Sequence, residues 1–202
     1  MGSSISALVK EQNDSLKAQA QDQLTALLTM AELKYENFMG HVKSTADKTL
    51  IPVNKILLSN HVVHAKVTST GEGVQNAVKD TVTAFAKGDI LTGVTSIVDF
   101  GVKAVLADVA ANQSQHRTYA ITCGELGGIM RIDIDIFCYT FTSAALTAVT
   151  NNVVSTAYVV SSVDASKLDT TTLRDIVQVC YGGVVDKVGL SFPLSCTWIL
   201  KC

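Results

Sequence analysis

Arg131, Asp133 and Asp135 occupy alternate positions in the run Arg131-Ile132-Asp133-Ile134-Asp135-Ile136. Residues two apart on a strand lie roughly 7 Å apart on one face, so both carboxylates project the same way. Two acids so placed repel each other unless a cation, an arginine or open water relieves them. A hard divalent cation suits oxygen ligands of this kind, with Asp133 and Asp135 as metal ligands and Thr122 as a further oxygen. Arg131 is the competing partner, and a solvated strand face, or charges that keep an edge unpaired, is the plain structural account. The alternation continues into Phe137, Tyr139 and Phe141. Arg131, Asp133, Asp135, Phe137 and Tyr139 thus make a candidate ligand-binding set, an apolar wall with a few convergent polar groups.

Other reactive residues are weaker signals. His61 and His64 share a side if they stand on a helix, but two histidines with no third ligand make a poor metal site. His41 and His116 fall at expected element ends and are expected to be exposed. The five cysteines match no zinc or redox spacing, and Cys123 and Cys138 read as small buried hydrophobes. No nucleophile elbow, phosphate loop, zincin or Cys-x-x-Cys motif occurs. Thr70-Gly71-Glu72-Gly73 starts like a dinucleotide loop, but Asn76 stands where a third glycine belongs, so the stretch reads as a turn. Gly2 and Ser6 fit the myristoylation pattern without the basic patch or second lipid that firm anchoring needs.

The element that positions the acids is a hairpin over 117–141. With Gly127-Gly128 as a two-residue turn, Cys123 pairs with Ile132, Ile121 with Ile134 and Tyr119 with Ile136. One face then carries Ile132, Ile134, Ile136 and Cys138 beside Cys123, Ile121 and Tyr119. Arg131, Asp133 and Asp135 lie on the other, over Gly124, Thr122 and Ala120.

About four helices are expected before it. Leu16, Leu24, Leu27, Ala31, Tyr35, Phe38 and Val42 recur at helical steps from Ser4 to about Met39, ending at Gly40. A second helix starts near Pro52, although its end is β-branched enough to be a strand. A third spans Val74 to Gly88, and a fourth, apolar over a wide arc, follows Asp89 to about Ala111. Past the hairpin, a turn or short helix near 143–149 precedes a strand over 153–163. Asp164 and Asp169 are N-cap candidates for a short helix through Cys180, and 184–202 reads as two strands with Pro193 at an edge. The expected fold is α+β: one domain over 1–202, an N-terminal helical layer (1–113) packed on an antiparallel sheet centred on the 117–141 hairpin (117–202).

Hydrophobic residues make up 48% and charged ones 17%, against roughly 25% charged in average proteins. Part of the surface is therefore expected in an interface, pointing to a homo-oligomer such as a dimer, or to an apolar ligand. A net charge of −2 without a basic cluster argues against nucleic acid. No apolar run reaches membrane-span length and no signal peptide is seen, so a cytoplasmic location is expected. The leading expectation is a non-enzymatic carrier of a lipophilic or conjugated small molecule, lipid- or pigment-like, in a helix–sheet pocket or dimer interface. The layout of amphipathic helices flanking a sheet, with a Thr/Ser/Val-rich segment able to rearrange, also resembles the cytolytic δ-endotoxin type of pore former, which implies a membrane-active protein. A metal-dependent enzyme using Asp133 and Asp135 is the third expectation.

Overall fold

The computed structural model describes residues 14–44, 51–65, 76, 88–107, 113–123, 128–140, 152–180 and 197–198. Its elements are α1 (Asp14–Lys43), β1 (Val53–Ala65), α2 (Gly88–Ala107), β2 (Gln113–Cys123), β3 (Ile129–Thr140), β4 (Asn152–Val163), a 3-10 turn (Ala165–Lys167), α3 (Thr170–Cys180) and β5 (Thr197–Trp198). The strands form one antiparallel sheet in the order β1-β4-β3-β2-β5. The expected α+β class with an antiparallel sheet is therefore correct. Three helices, not four, are found among the described residues, and only α1 and α2 precede the hairpin.

The helices sit on opposite faces of the sheet. Val94, Ile97, Val98, Val102 and Val105 of α2 pack with Ala120, Ile132, Ile134, Ile136, Cys138, Val154, Tyr158 and Val160. This is the main core, and Cys138 is the small buried hydrophobe the sequence suggested. On the other face, Phe38 and Val42 of α1 pack on Ala157 and Val159. Ile176 of α3 closes one end over Ile51, Tyr119 and Ile121. Leu24, Ala31 and Phe38 recur every seventh residue, so α1 buries one narrow stripe. The helix runs on past Gly40 to Lys43, since Val42 is buried against the sheet. Asp169 caps α3 as expected, accepting from the Thr171 and Thr172 amides at 3.0 and 2.9 Å. The strand expected over 153–163 is β4, and it lies between β1 and β3.

Two expectations are overturned. The segment after Pro52 is strand β1, not a helix, so the helical part does not fill 1–113. Its register against β4 shifts between Val53 and Lys55 and again between Ile56 and Leu58. Each shift inserts one residue in the manner of a β-bulge. The bulges bring Val53 and Ile56, three apart, onto the same α1 cluster, which is the spacing that imitated a helix.

The hairpin register also differs. Cys123 pairs with Ile129, Ala120 with Ile132, Tyr119 with Asp133 and Arg117 with Asp135. The paired ends Cys123 and Ile129 leave five residues between the strands, where a diglycine turn would leave two. Relative to the expected register the strands have slipped by an odd number of residues, and an odd slip moves every side chain of one strand to the other face. Ile121 and Tyr119 thus lie beside Arg131 and Asp133, while Ala120 faces α2 with the isoleucines. The expected helix over 74–88, the turn at 70–73, the segment 143–149, Phe141 and most of 184–202 lie outside the described residues.

Candidate functional site

β3 is buried on both faces from Arg131 to Cys138. Its odd-numbered residues meet α1 and its even-numbered ones meet α2, so the charged half of the alternation is roofed by a helix. Arg131 keeps 1% of its surface, Asp133 3% and Asp135 4%. Buried charges are tolerated only when paired and hydrogen-bonded, and each of these is.

Arg131 Nε donates to Asp133 Oδ2 at 2.8 Å. Its two terminal nitrogens donate to the backbone carbonyls of Val42, at 3.0 Å, and Ile51, and the guanidinium lies over the Tyr119 ring. The Val42 carbonyl belongs to the last turn of α1, where carbonyls lack a helical partner and carry the negative end of the helix dipole. Arg131 therefore ties the end of α1, the entry to β1 and the centre of β3 together. Burial pushes the Asp133 carboxyl above its ordinary range even against the pull of Arg131, so desolvation outweighs the ion pair here. Asp135 accepts from Gln115 Nε2 at 2.8 and 3.0 Å and from Arg117 Nε at 3.3 Å. Arg117 in turn lies against the Phe38 ring of α1.

The aromatic end is part of the same interface. Phe137 is 4% exposed, with Lys34 Nζ of α1 above its ring at 4.9 Å, and Tyr139 is half-buried beyond it. The five residues nominated from sequence thus lie on one face, but their contacts bind the protein to itself. A guanidinium occupies the partner position of each acid, and Thr122, paired with Met130, is on the opposite face. Among the described residues no three His, Cys, Asp or Glu side chains assemble to hold a metal.

His61 and His64 stand on a strand and, three apart, face opposite sides of the sheet. They cannot share a metal. His61 lies under α1: its ring stacks on Tyr35 with centroids 4.8 Å apart, and Nε2 shares a 2.8 Å hydrogen bond with Ser155 Oγ. Nδ1 is 3.7 Å from Glu32 Oε1 and has no hydrogen-bond partner among the described residues. Ser155, His61 and Glu32 have the residue types of a hydrolytic triad. Yet Ser155 is 5% exposed and Tyr35 covers the ring, so proton uptake is the chemistry open to His61. His64 Nε2, on the α2 side, is also buried without a partner. Burial lowers the pKa of both histidines. His41 and His116, expected exposed, are both half-buried, the latter edge-on to Phe100.

Sequence reasoning missed Glu32, Tyr35, Gln115, Arg117 and Ser155. The alternation in β3 was the available signal that polar partners were needed, but their identity depended on the register and on which face α1 covers. Comparison with known proteins finds no matching family model, no matching curated protein and no matching solved structure.

Proposed function

We propose that the chain is a membrane-active, pore-forming protein whose β3–β4 hairpin enters the bilayer when the helices leave its two faces. One observation carries this reading. β3 alternates isoleucine with charge from Arg131 to Ile136 within a strand of membrane-crossing length, and β4 follows it rung by rung from Met130↔Ser162 to Thr140↔Asn152 without an irregularity. A strand crossing a bilayer needs about 9–11 residues, apolar toward lipid and polar toward the lumen. Here each strand has 12 residues. The lipid side would carry Ile132, Ile134, Ile136 and Cys138 with Val154, Tyr158 and Val160. The lumen side would carry Arg131, Asp133 and Asp135 with Ser155 and Ser161, together with Phe137, Ala157 and Val159.

An ordinary globular sheet has little use for charge on a face it then buries. Pairing a charged strand face with an amphipathic helix keeps that face out of contact with water until the helix departs. A single hairpin cannot close its own edges in lipid, so the reading requires several copies and agrees with the expected homo-oligomer. No described helix is long and apolar enough to cross a membrane, and strands cross by different rules. The test is release of a trapped dye from phosphatidylcholine vesicles at micromolar protein. Graded release that stops above a defined dye size is expected; vesicles that stay sealed would sink the reading.

A carrier of a lipophilic small molecule between α1 and the sheet is the second reading. It is favoured by His61 Nδ1 and Ser161 Oγ, two buried polar atoms on the α1 face with no partner among the described residues. Native mass spectrometry of protein from its natural source would detect the added mass. The contacts of Arg131, Asp133, Asp135 and Phe137 would have to be remade around such a ligand, which is why the pore reading ranks first.

A further inference from the structure

We infer that His61 is a proton-sensing contact that releases α1 from the sheet on acidification, uncovering Arg131, Asp133 and Asp135 of β3. The inference rests on the pore-forming reading and supplies its trigger. Its basis is the position of the ring. His61 is 6% exposed, pressed between Tyr35 of α1 and Ser155 of β4. In the tautomer that donates from Nε2 to Ser155 Oγ, the neutral imidazole leaves Nδ1 without a hydrogen. Protonation makes Nδ1 a donor, and the charge then sits in a buried site whose nearest acid, Glu32, is 3.7 Å away and largely solvated.

Four groups face the ring. From α1 come Glu32 and Tyr35, from β4 Ser155, and from β3 Asp135, whose charge acts on it across the interface. Glu32 and Asp135 favour the imidazolium, but burial outweighs them and holds His61 below the 6.5 of a free imidazole. The opened form therefore binds the proton more tightly than the closed one. The contribution to the closed state is complete above 6.5 and is lost as pH falls through the closed-state value. Each unit of difference between the two values shifts the opening equilibrium by up to about tenfold.

Other titrating groups do not imitate this. Asp133 is displaced upward from 3.8, so its contribution is fully present below that value and lost as pH rises through the folded-state value. Acid therefore favours the closed form at Asp133 and opposes the histidine. His64 shifts in the same direction as His61, from burial alone, but it lies on the sheet face away from α1 and serves as the internal control.

Hydrogen exchange of α1 and dye release from phosphatidylcholine vesicles, each followed from about pH 7.5 to about pH 5.5, test the inference on the full chain. Loss of protection in α1 is expected with a midpoint below 6.5, accompanied by a rise in release. His61→Gln should abolish both steps, and His64→Gln should keep both. Protection of α1, relative to intrinsic amide exchange, that is independent of pH in the wild-type protein overturns the inference, whether or not His61→Gln folds, and so does an acid step that survives His61→Gln. Release that is equally strong at both pH values leaves the pore reading standing without its trigger. Loss of α1 protection in acid with vesicles that stay sealed retains the trigger and removes the pore.

Discussion

Arg131 is the residue on which the helix–sheet interface turns. It is the largest fully buried side chain of the described protein, and its donors reach a carboxylate on its own strand and carbonyls on two other segments. Removing one partner of such a group leaves the other charge buried and alone, which costs about 3–5 kcal/mol. Arg131→Met should therefore lower the unfolding free energy by that amount, read as a lower urea midpoint at unchanged slope, and loosen the end of α1, where the Val42 carbonyl loses its donor. An unchanged midpoint would mean that Asp133 is already neutral in the fold, a result its upward displacement makes worth measuring directly. The need for a partner was readable in the sequence, because two acids on one strand face require one. The particular partners were not, since Val42 and Ile51 contribute backbone oxygens from 89 and 80 residues away, and main-chain acceptors leave no trace in side-chain spacing.

Among elements, α2 was the easiest to read and β1 and the hairpin register the hardest, with β4 between them. The wide apolar arc of α2 satisfies one period without interruption. In β4, by contrast, Val153, Ala157 and Val160 fit helical spacing and the Thr, Val and Ser content favours a strand, because a strand buried on both faces loses its alternation. β1 contains two bulges, and a bulge breaks the period of two on which recognising a strand depends. In the hairpin, Gly127-Gly128 offered a turn of the favoured type, but burial decided the pairing. Only the odd slip puts Ala120 under α2 and brings Arg117 and Tyr119 to the charges. The closeness of α2 to the sheet rests on Gly101, where a Cβ would meet Ile136 Cδ1 at 2.7 Å and His116 Cδ2 at 2.9 Å. Gly101→Ala should raise the intrinsic helix propensity by about 1 kcal/mol yet lower stability, because overpacking a well-filled core costs about 1–3 kcal/mol. A denaturation midpoint equal to or above that of the wild-type protein would show that α2 can ride outward without loss.

At the scale of the whole molecule the two helical layers are not equivalent. α2 covers an apolar face, and lipid can replace it there at little cost. α1 covers a mixed face, where water can replace it over Arg131, Asp133 and Asp135 but would also wet Phe137, Ala157 and Val159. On the pore-forming reading, a sheet roofed in this way meets lipid on its apolar face and water over the charged part of the other. If the charged face exists only to fix the fold, it is a poor choice, because apolar residues of similar volume in place of a buried ion pair are often neutral or stabilising by about 1–4 kcal/mol. The double variant Arg131→Met/Asp133→Leu separates the two accounts. It should unfold at a urea midpoint at least equal to that of Arg131→Met alone, since no charge is stranded, while losing dye release because the lumen side of β3 becomes apolar. Release that persists at the wild-type rate in the well-folded double variant would assign the charges to the architecture alone and take the lumen away from β3.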